Sequence, residues 1–146
     1  MTDITKNNLL ASDIKYDSTQ KPIKLPTSPA KENDPCTIAA WGRTGRGQSV
    51  HNNLRKMDAN VMLPKTCQPA TTDKIGENEC CTYIKRGRGT CNGDSGSGMI
   101  QTSDDMENRE MVGLVSGGKP CAIGYPDVYT AVYPYISWIK EKCNIK

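Results

Sequence analysis

Apolar residues along this chain come in short groups, separated by polar and glycine-rich stretches. From Cys36 onward these groups predict strands over Thr37–Trp41, Asn53–Val61, Gly98–Gln101, Glu110–Ser116 and Asp127–Ala131. Between them, Gly42–Ser49, Lys85–Gly89 and Gly117–Gly124 have the composition of loops. Short strands joined by glycine-rich turns predict an all-β barrel or sandwich. Residues 1–35 are different, being polar and carrying Pro22, Pro26, Pro29 and Pro35. They predict an extended connecting segment, with Pro22–Pro26 as its one buried-strand candidate. At the other end the period changes. Tyr135, Ile136 and Ile139 follow Pro134 at helical spacing and run into lysines, which predicts a short C-terminal helix with cations at its negative end.

The length of 146 residues suits one domain with a modest core, and 36% hydrophobic against 24% charged residues argues against wholesale disorder. The longest apolar stretches are a few residues, as at Ala59–Leu63, so none is long enough for a bilayer-spanning helix and no membrane partner is expected. A net charge of +3 is small and scattered. Arg86–Gly89 and Gly42–Gly47 are basic, yet they lack the interleaved aromatics of a nucleic-acid surface, so no nucleic-acid partner is expected.

Seven cysteines, at 36, 67, 80, 81, 91, 121 and 143, form no C-x-x-C knuckle, and disulfides in an oxidising compartment are the expected reading rather than a metal site. The odd count leaves at least one thiol outside any intrachain pair. The first residues, Met1–Asn8, are polar and contain no apolar signal core. Disulfide-type cysteines without such a signal predict that a leader has been removed or that the natural start lies upstream. Acidic neighbours such as Asp104–Asp105, or Glu77 and Glu79, read as solvated turns. No metal and no cofactor are expected.

The sharpest local signal is Cys91-Asn92-Gly93-Asp94-Ser95-Gly96-Ser97-Gly98. A serine beside glycines on a tight turn can expose its Oγ while neighbouring N–H groups converge on one point. Its surroundings extend the pattern: Trp41-Gly42-Arg43-Thr44 upstream, Cys81 and Cys91 around Thr82–Thr90, then Gly113–Gly118, Cys121, Pro126–Thr130 and Trp138-Ile139. In this order they resemble the second half of a chymotrypsin/trypsin-family (peptidase S1) serine protease, and Cys81–Gly96 particularly resembles insect digestive or venom chymotrypsin-like enzymes. The resemblance implies the second β-barrel of the trypsin-like serine protease fold over 36–146, with a short C-terminal helix. Residues 1–35 would be the inter-barrel connection, and the first barrel would be missing from this chain.

The same resemblance implies roles. Ser95 matches the nucleophile, and Gly93 and Ser95 match the backbone donors of the oxyanion hole. Asp94 matches the carboxylate that pairs with a new N-terminus on activation. Ser116, Gly117 and Gly118 match the segment that pairs with substrate backbone. Gly89 matches the base of the primary specificity pocket, with Gly118 and Asp127 in its walls. Cys91–Cys121 resembles the disulfide bracing that pocket, and Cys67–Cys81 a second bridge for which Cys80 is a competitor. An uncharged base favours an apolar P1 residue, whereas Asp127 favours Lys or Arg, so the preference stays open between large apolar and mixed.

Several positions depart from the family. Its serine needs a histidine base oriented by an aspartate. His51 lies in a loop-like stretch ten residues after Trp41 and does not match that base. Asp3, in Asp3-Ile4, resembles the triad aspartate but stands one residue out of register. Ser97-Gly98 replaces Gly-Pro, and Gly117 stands where a tryptophan is usual. The expected function is serine endopeptidase activity through a Ser95 acyl-enzyme in a longer, extracellular form, with this chain inactive alone. Its partners would be polypeptide substrates, a protease inhibitor and the absent barrel. The alternative is a secreted homologue that acts by binding without catalysis.

Overall fold

The computed structural model describes residues 11–50, 52–103 and 105–145. Six strands form one closed antiparallel barrel in the order β1-β2-β3-β6-β5-β4. They are β1 (Pro35–Ala40), β2 (Arg55–Met62), β3 (Glu79–Thr82), β4 (Gly98–Gln101), β5 (Met111–Gly118) and β6 (Asp127–Ala131). Two short helices, α1 (Pro64–Cys67) and α2 (Ile136–Cys143), lie outside them.

Alternation builds the interior. Cys36, Ile38 and Ala40 of β1 and Ala59 and Val61 of β2 are buried on one face. All of these but Ala40 meet Cys80, Met99, Val112, Val115 and Tyr129 in the main core. Gly113 permits a close approach in the core, because a Cβ there would stand 2.8 Å from Met99 Cε and 3.3 Å from Tyr129 Cβ. A second cluster joins Cys67, Ile75, Cys81 and Val128 on the outside of β3 and β6, beneath α1. These two strands are therefore covered on both faces.

That double coverage explains the strand missed in the sequence. Glu79–Thr82 is buried at Cys80, Cys81 and Thr82 in succession, so it shows no alternation. Alternation does decide the cysteine competition. Cys80 faces the barrel core and Cys81 faces α1, so Cys81 bonds Cys67. The second bridge joins Cys91 to Cys121. Among the described residues Cys36 and Cys80 are free and buried, and Cys143 is free and exposed. Burial pushes the Cys36 thiol up to about 11 and the Cys80 thiol up to about 12, which leaves both poor nucleophiles at neutral pH.

The expected buried strand at Pro22–Pro26 is corrected. Only Lys24 bridges, to Glu110 beside β5, and residues 22–24 are exposed. Flanking prolines cannot donate to a ladder, so the pairing stops after one residue. The segment from 11 to 34 instead lies along the barrel through spot contacts: Met111 N–H to Lys24 O, Thr27 Oγ1 to Glu110, and Leu63 N–H to Glu32. The C-terminal helix forms where expected, preceded by a 3₁₀ turn at Tyr133–Tyr135 and closed by Asn144 in the left-handed region. No helix among the described residues is long and apolar enough to cross a membrane.

Candidate active site

The chain between β3 and β4 carries Thr90–Ser97, and its shape is set by one carboxylate. Asp94 is 8% exposed, and both its oxygens accept backbone N–H groups. Gly42 donates to Oδ1 and Cys91 to Oδ2, each at 2.8 Å. Arg43 N–H reaches Asn92 O at 2.9 Å, so the chain leaving β1 is stitched to the turn before Ser95. A side chain at 42 would overlap Asp94 Oδ1, which is why glycine follows Trp41. Gly93 is constrained twice: it has φ +95°, and a Cβ on it would stand 3.2 Å from Gly42 Cα.

Beyond Asp94 the turn is fastened to β5. Ser97 N–H bonds Asp94 O at 3.0 Å, Gly96 N–H bonds Val115 O at 2.8 Å, and Val115 N–H bonds Ser97 O at 2.9 Å. Ser95 sits on the exposed side, one residue from the link between Gly96 and Val115. Among the described residues, the N–H groups of Gly93 and Ser95 donate to no acceptor, and the Ser95 hydroxyl has no hydrogen-bond partner. A buried anion thus rigidifies a turn that presents an exposed hydroxyl and two uncommitted donors.

The pocket positions lie together. Asp127 is 5% exposed and pairs across β5–β6 with Gly118. Its Oδ2 accepts the Thr90 N–H at 2.9 Å and would stand 2.5 Å from a Cβ at Gly89. Gly89 is thus required because the carboxylate occupies the space of a side chain. Burial raises the Asp127 pKa, Thr90 hydrogen bonds pull against it, and nearby Asp94 adds to the rise. The Cys91–Cys121 bridge closes the adjoining wall. A cavity of about 200 Å³ lies among these loops, touching Gly42, Gly89, Asp94 and Ala122.

Ser116, Gly117 and Gly118 extend past β4, whose pairing ends opposite Leu114. They have β6 on one side and no named strand on the other. A Cβ on Gly117 would meet nothing within 4 Å, so there is free space beside this glycine. Trp41 and Val50 are exposed at 55% and 62%, and Val50 Cγ1 would stand 3.4 Å from a Cβ at Gly93. The structure therefore gathers Gly89, Gly93, Ser95, Ser116, Gly117, Gly118 and Asp127 on the loops and strand ends around Asp94. Asp3 and His51 lie outside the described residues. No group of three His, Cys, Asp or Glu among the described residues could hold a metal ion.

The trypsin family profile matches this chain over residues 8–139. The chain belongs to the trypsin family. A chymotrypsin-2 of Vespa crabro is 34% identical over 133 residues, which cover 90% of this chain and 58% of that protein. The trypsin II-P29 of Gallus gallus is 36% identical over 148 residues, covering 96% of this chain and 57% of its own length. A trypsin of Squalus acanthias is 36% identical over 121 residues, with 82% of this chain and 50% of its own covered. The chain spans about half the length of the relatives it matches.

Within this trypsin-family barrel, three supporting positions were not singled out from the sequence. Thr90 holds Asp127, Asn92 accepts from Arg43, and Gly42 holds Asp94. Gly42 and Asn92 act through the backbone or through small size, and Thr90 adds its side chain to its backbone N–H, so little in the residue types signals these roles. Only the Trp41-Gly42 pair offered a hint.

Proposed function

We propose that this chain is the second barrel of a secreted serine endopeptidase that hydrolyses polypeptides through an acyl-enzyme on Ser95. The observation that carries the reading is the exposed Ser95 hydroxyl on a turn whose Gly93 and Ser95 N–H groups have no acceptor among the described residues. Residues 36–146 would form the barrel and 1–35 its connection to a first barrel. That barrel would supply the histidine base, and with it an in-register aspartate in place of Asp3. The coverage of the relatives, 58% and 57%, supports a further barrel of comparable size.

In this mechanism the base takes the Ser95 proton as Oγ attacks the scissile carbonyl carbon. The oxygen turns anionic and receives the Gly93 and Ser95 N–H groups. The base then protonates the leaving amine, and water hydrolyses the ester by the same route. The reaction calls for no cofactor. Ser116–Gly118 would add the substrate as a strand, and a P1 side chain would descend toward Gly89 and Asp127. The Asp127 carboxylate lies against Gly89, which supports a mixed pocket accepting Lys or Arg beside large apolar residues.

A fluorophosphonate probe tests this. The full-length protein is expected to label once, on Ser95, and a Ser95→Ala variant not at all. The 146-residue chain alone, without the base, is expected to react on the order of 10³-fold more slowly or not detectably. No labelling of the full-length protein would instead favour a homologue that acts by binding inhibitors or substrates.

A further inference from the structure

We propose that Lys119 makes the open edge beyond Gly118 a subsite for an acidic side chain of the bound peptide. The inference rests on the reading of Ser116–Gly118 as the edge to which a peptide adds, and it names what that peptide should carry.

Lys119 follows β5 directly and is half-buried. Its Nζ donates to Thr72 Oγ1 at 2.7 Å and lies 4.4 Å from the centre of the Tyr125 ring. Both partners are neutral, and neither neutralises the charge. Asp73, next to Thr72 in the chain, makes no ion pair with it. Among the described residues the ammonium therefore has no carboxylate partner, and one hydrogen-bond acceptor for its three donors. An exposed lysine pairs weakly because ordering its long stem costs entropy. Here the Thr72 and Tyr125 contacts have already ordered it.

The surroundings leave room for the partner. Gly117 and Gly118 have no side chains, and nothing lies within 4 Å of a Cβ at 117. Lys119 is thus the first side chain met beyond the edge. Gly96 N–H to Val115 O ties the residue after Ser95 to the residue before Ser116. A peptide delivering its carbonyl to Ser95 and running back toward Gly118 pairs antiparallel. The residue entering the pocket lies near Ser116, and the one two positions upstream lies near Gly118. Counting back from the scissile bond, the third and fourth residues flank Lys119.

The test is binding to the full 146-residue chain, read by fluorescence anisotropy. Two labelled pentapeptide amides ending in leucine differ only by Glu or Gln at the third residue from the C-terminus; a second pair carries the change at the fourth. The Glu peptide of at least one pair is expected to bind about 3–5-fold more tightly at low salt, with the margin shrinking as salt is raised. Lys119→Glu is expected to reverse the preference. Lys119→Gln, which keeps a donor for Thr72, should abolish the preference. Equal binding of Glu and Gln peptides to the wild-type chain in both pairs overturns the acidic subsite and leaves the strand reading intact. Loss of both peptides together in Lys119→Gln overturns it too, since Lys119 would then be merely structural. Binding of neither peptide to the wild-type chain overturns the strand reading, and this proposal with it.

Discussion

The barrel interior and the loop face around Ser95 are held by different forces. Inside, Val61, Met99 and Tyr129 are fully buried and meet through apolar contact, with few polar contacts among them: the Tyr129 and Thr82 hydroxyls lie 3.0 Å apart, and the Cys36 thiol donates to Ala59 O at 3.4 Å. On the loop face, two buried carboxylates take the equivalent role by accepting backbone N–H groups. Asp94 takes Gly42 and Cys91, and Asp127 takes Thr90. Apolar packing is non-directional, so many side chains share the burden and the strands need only alternate. A buried carboxylate is directional and costly unless satisfied, so it fixes a few loop atoms sharply. A loop face can keep its shape this way because its rigidity does not depend on filling space.

Three perturbations sharpen or break that contrast. Tyr129→Ala empties the centre of the core, and chemical denaturation is expected to register a loss of about 3–5 kcal/mol shared by the whole barrel. Asp94→Ala leaves the Gly42 and Cys91 N–H groups unpaired and should cost about 2–3 kcal/mol. Its hydrogen-exchange signature should be confined to the loops around 42 and 91. Uniform loosening of the strands in that variant would break the distinction.

The smallest effect belongs to Asp127→Asn. The folded-state pKa of Asp127 is raised, chiefly by burial, so the folded chain holds this proton to higher pH than the unfolded chain does. Stability from this group is thus full below the unfolded carboxylate pKa and is lost as pH rises through the folded one. The introduced asparagine stays neutral and keeps an oxygen for the Thr90 N–H. The variant should flatten the decline in melting temperature from about pH 4 upward, with a net change of about 1 kcal/mol or less at pH 7. A steeper decline in the variant would show that Asp127 stabilises the fold as an anion.

Much of this arrangement was legible because it follows from residue order. The groups at Gly98–Gln101 and Asp127–Ala131 appear as strands within the expected bounds, and the all-β barrel with its terminal helix follows. The Gly93–Gly96 turn could be read because glycine and aspartate there serve a geometry that few other residues permit. Glu79–Thr82 was illegible because cover on both faces erases the period of two. Pro22–Pro26 misled because its apolar residues suggested burial, while its prolines limited pairing to Lys24.

Local order therefore determined which segments extend, which turn, and which serine stands among glycines, since backbone preference and side-chain period act between near neighbours. Tertiary structure alone decided which cysteine of the adjacent pair faces α1. It also decided that Asp94 and Asp127 commit their oxygens to Gly42, Cys91 and Thr90, and that Lys119 meets Thr72 and Tyr125. Except for Asp94 with Cys91 and Lys119 with Tyr125, these contacts join residues at least 14 positions apart. They come into being only when the barrel closes and brings the strand ends to one face.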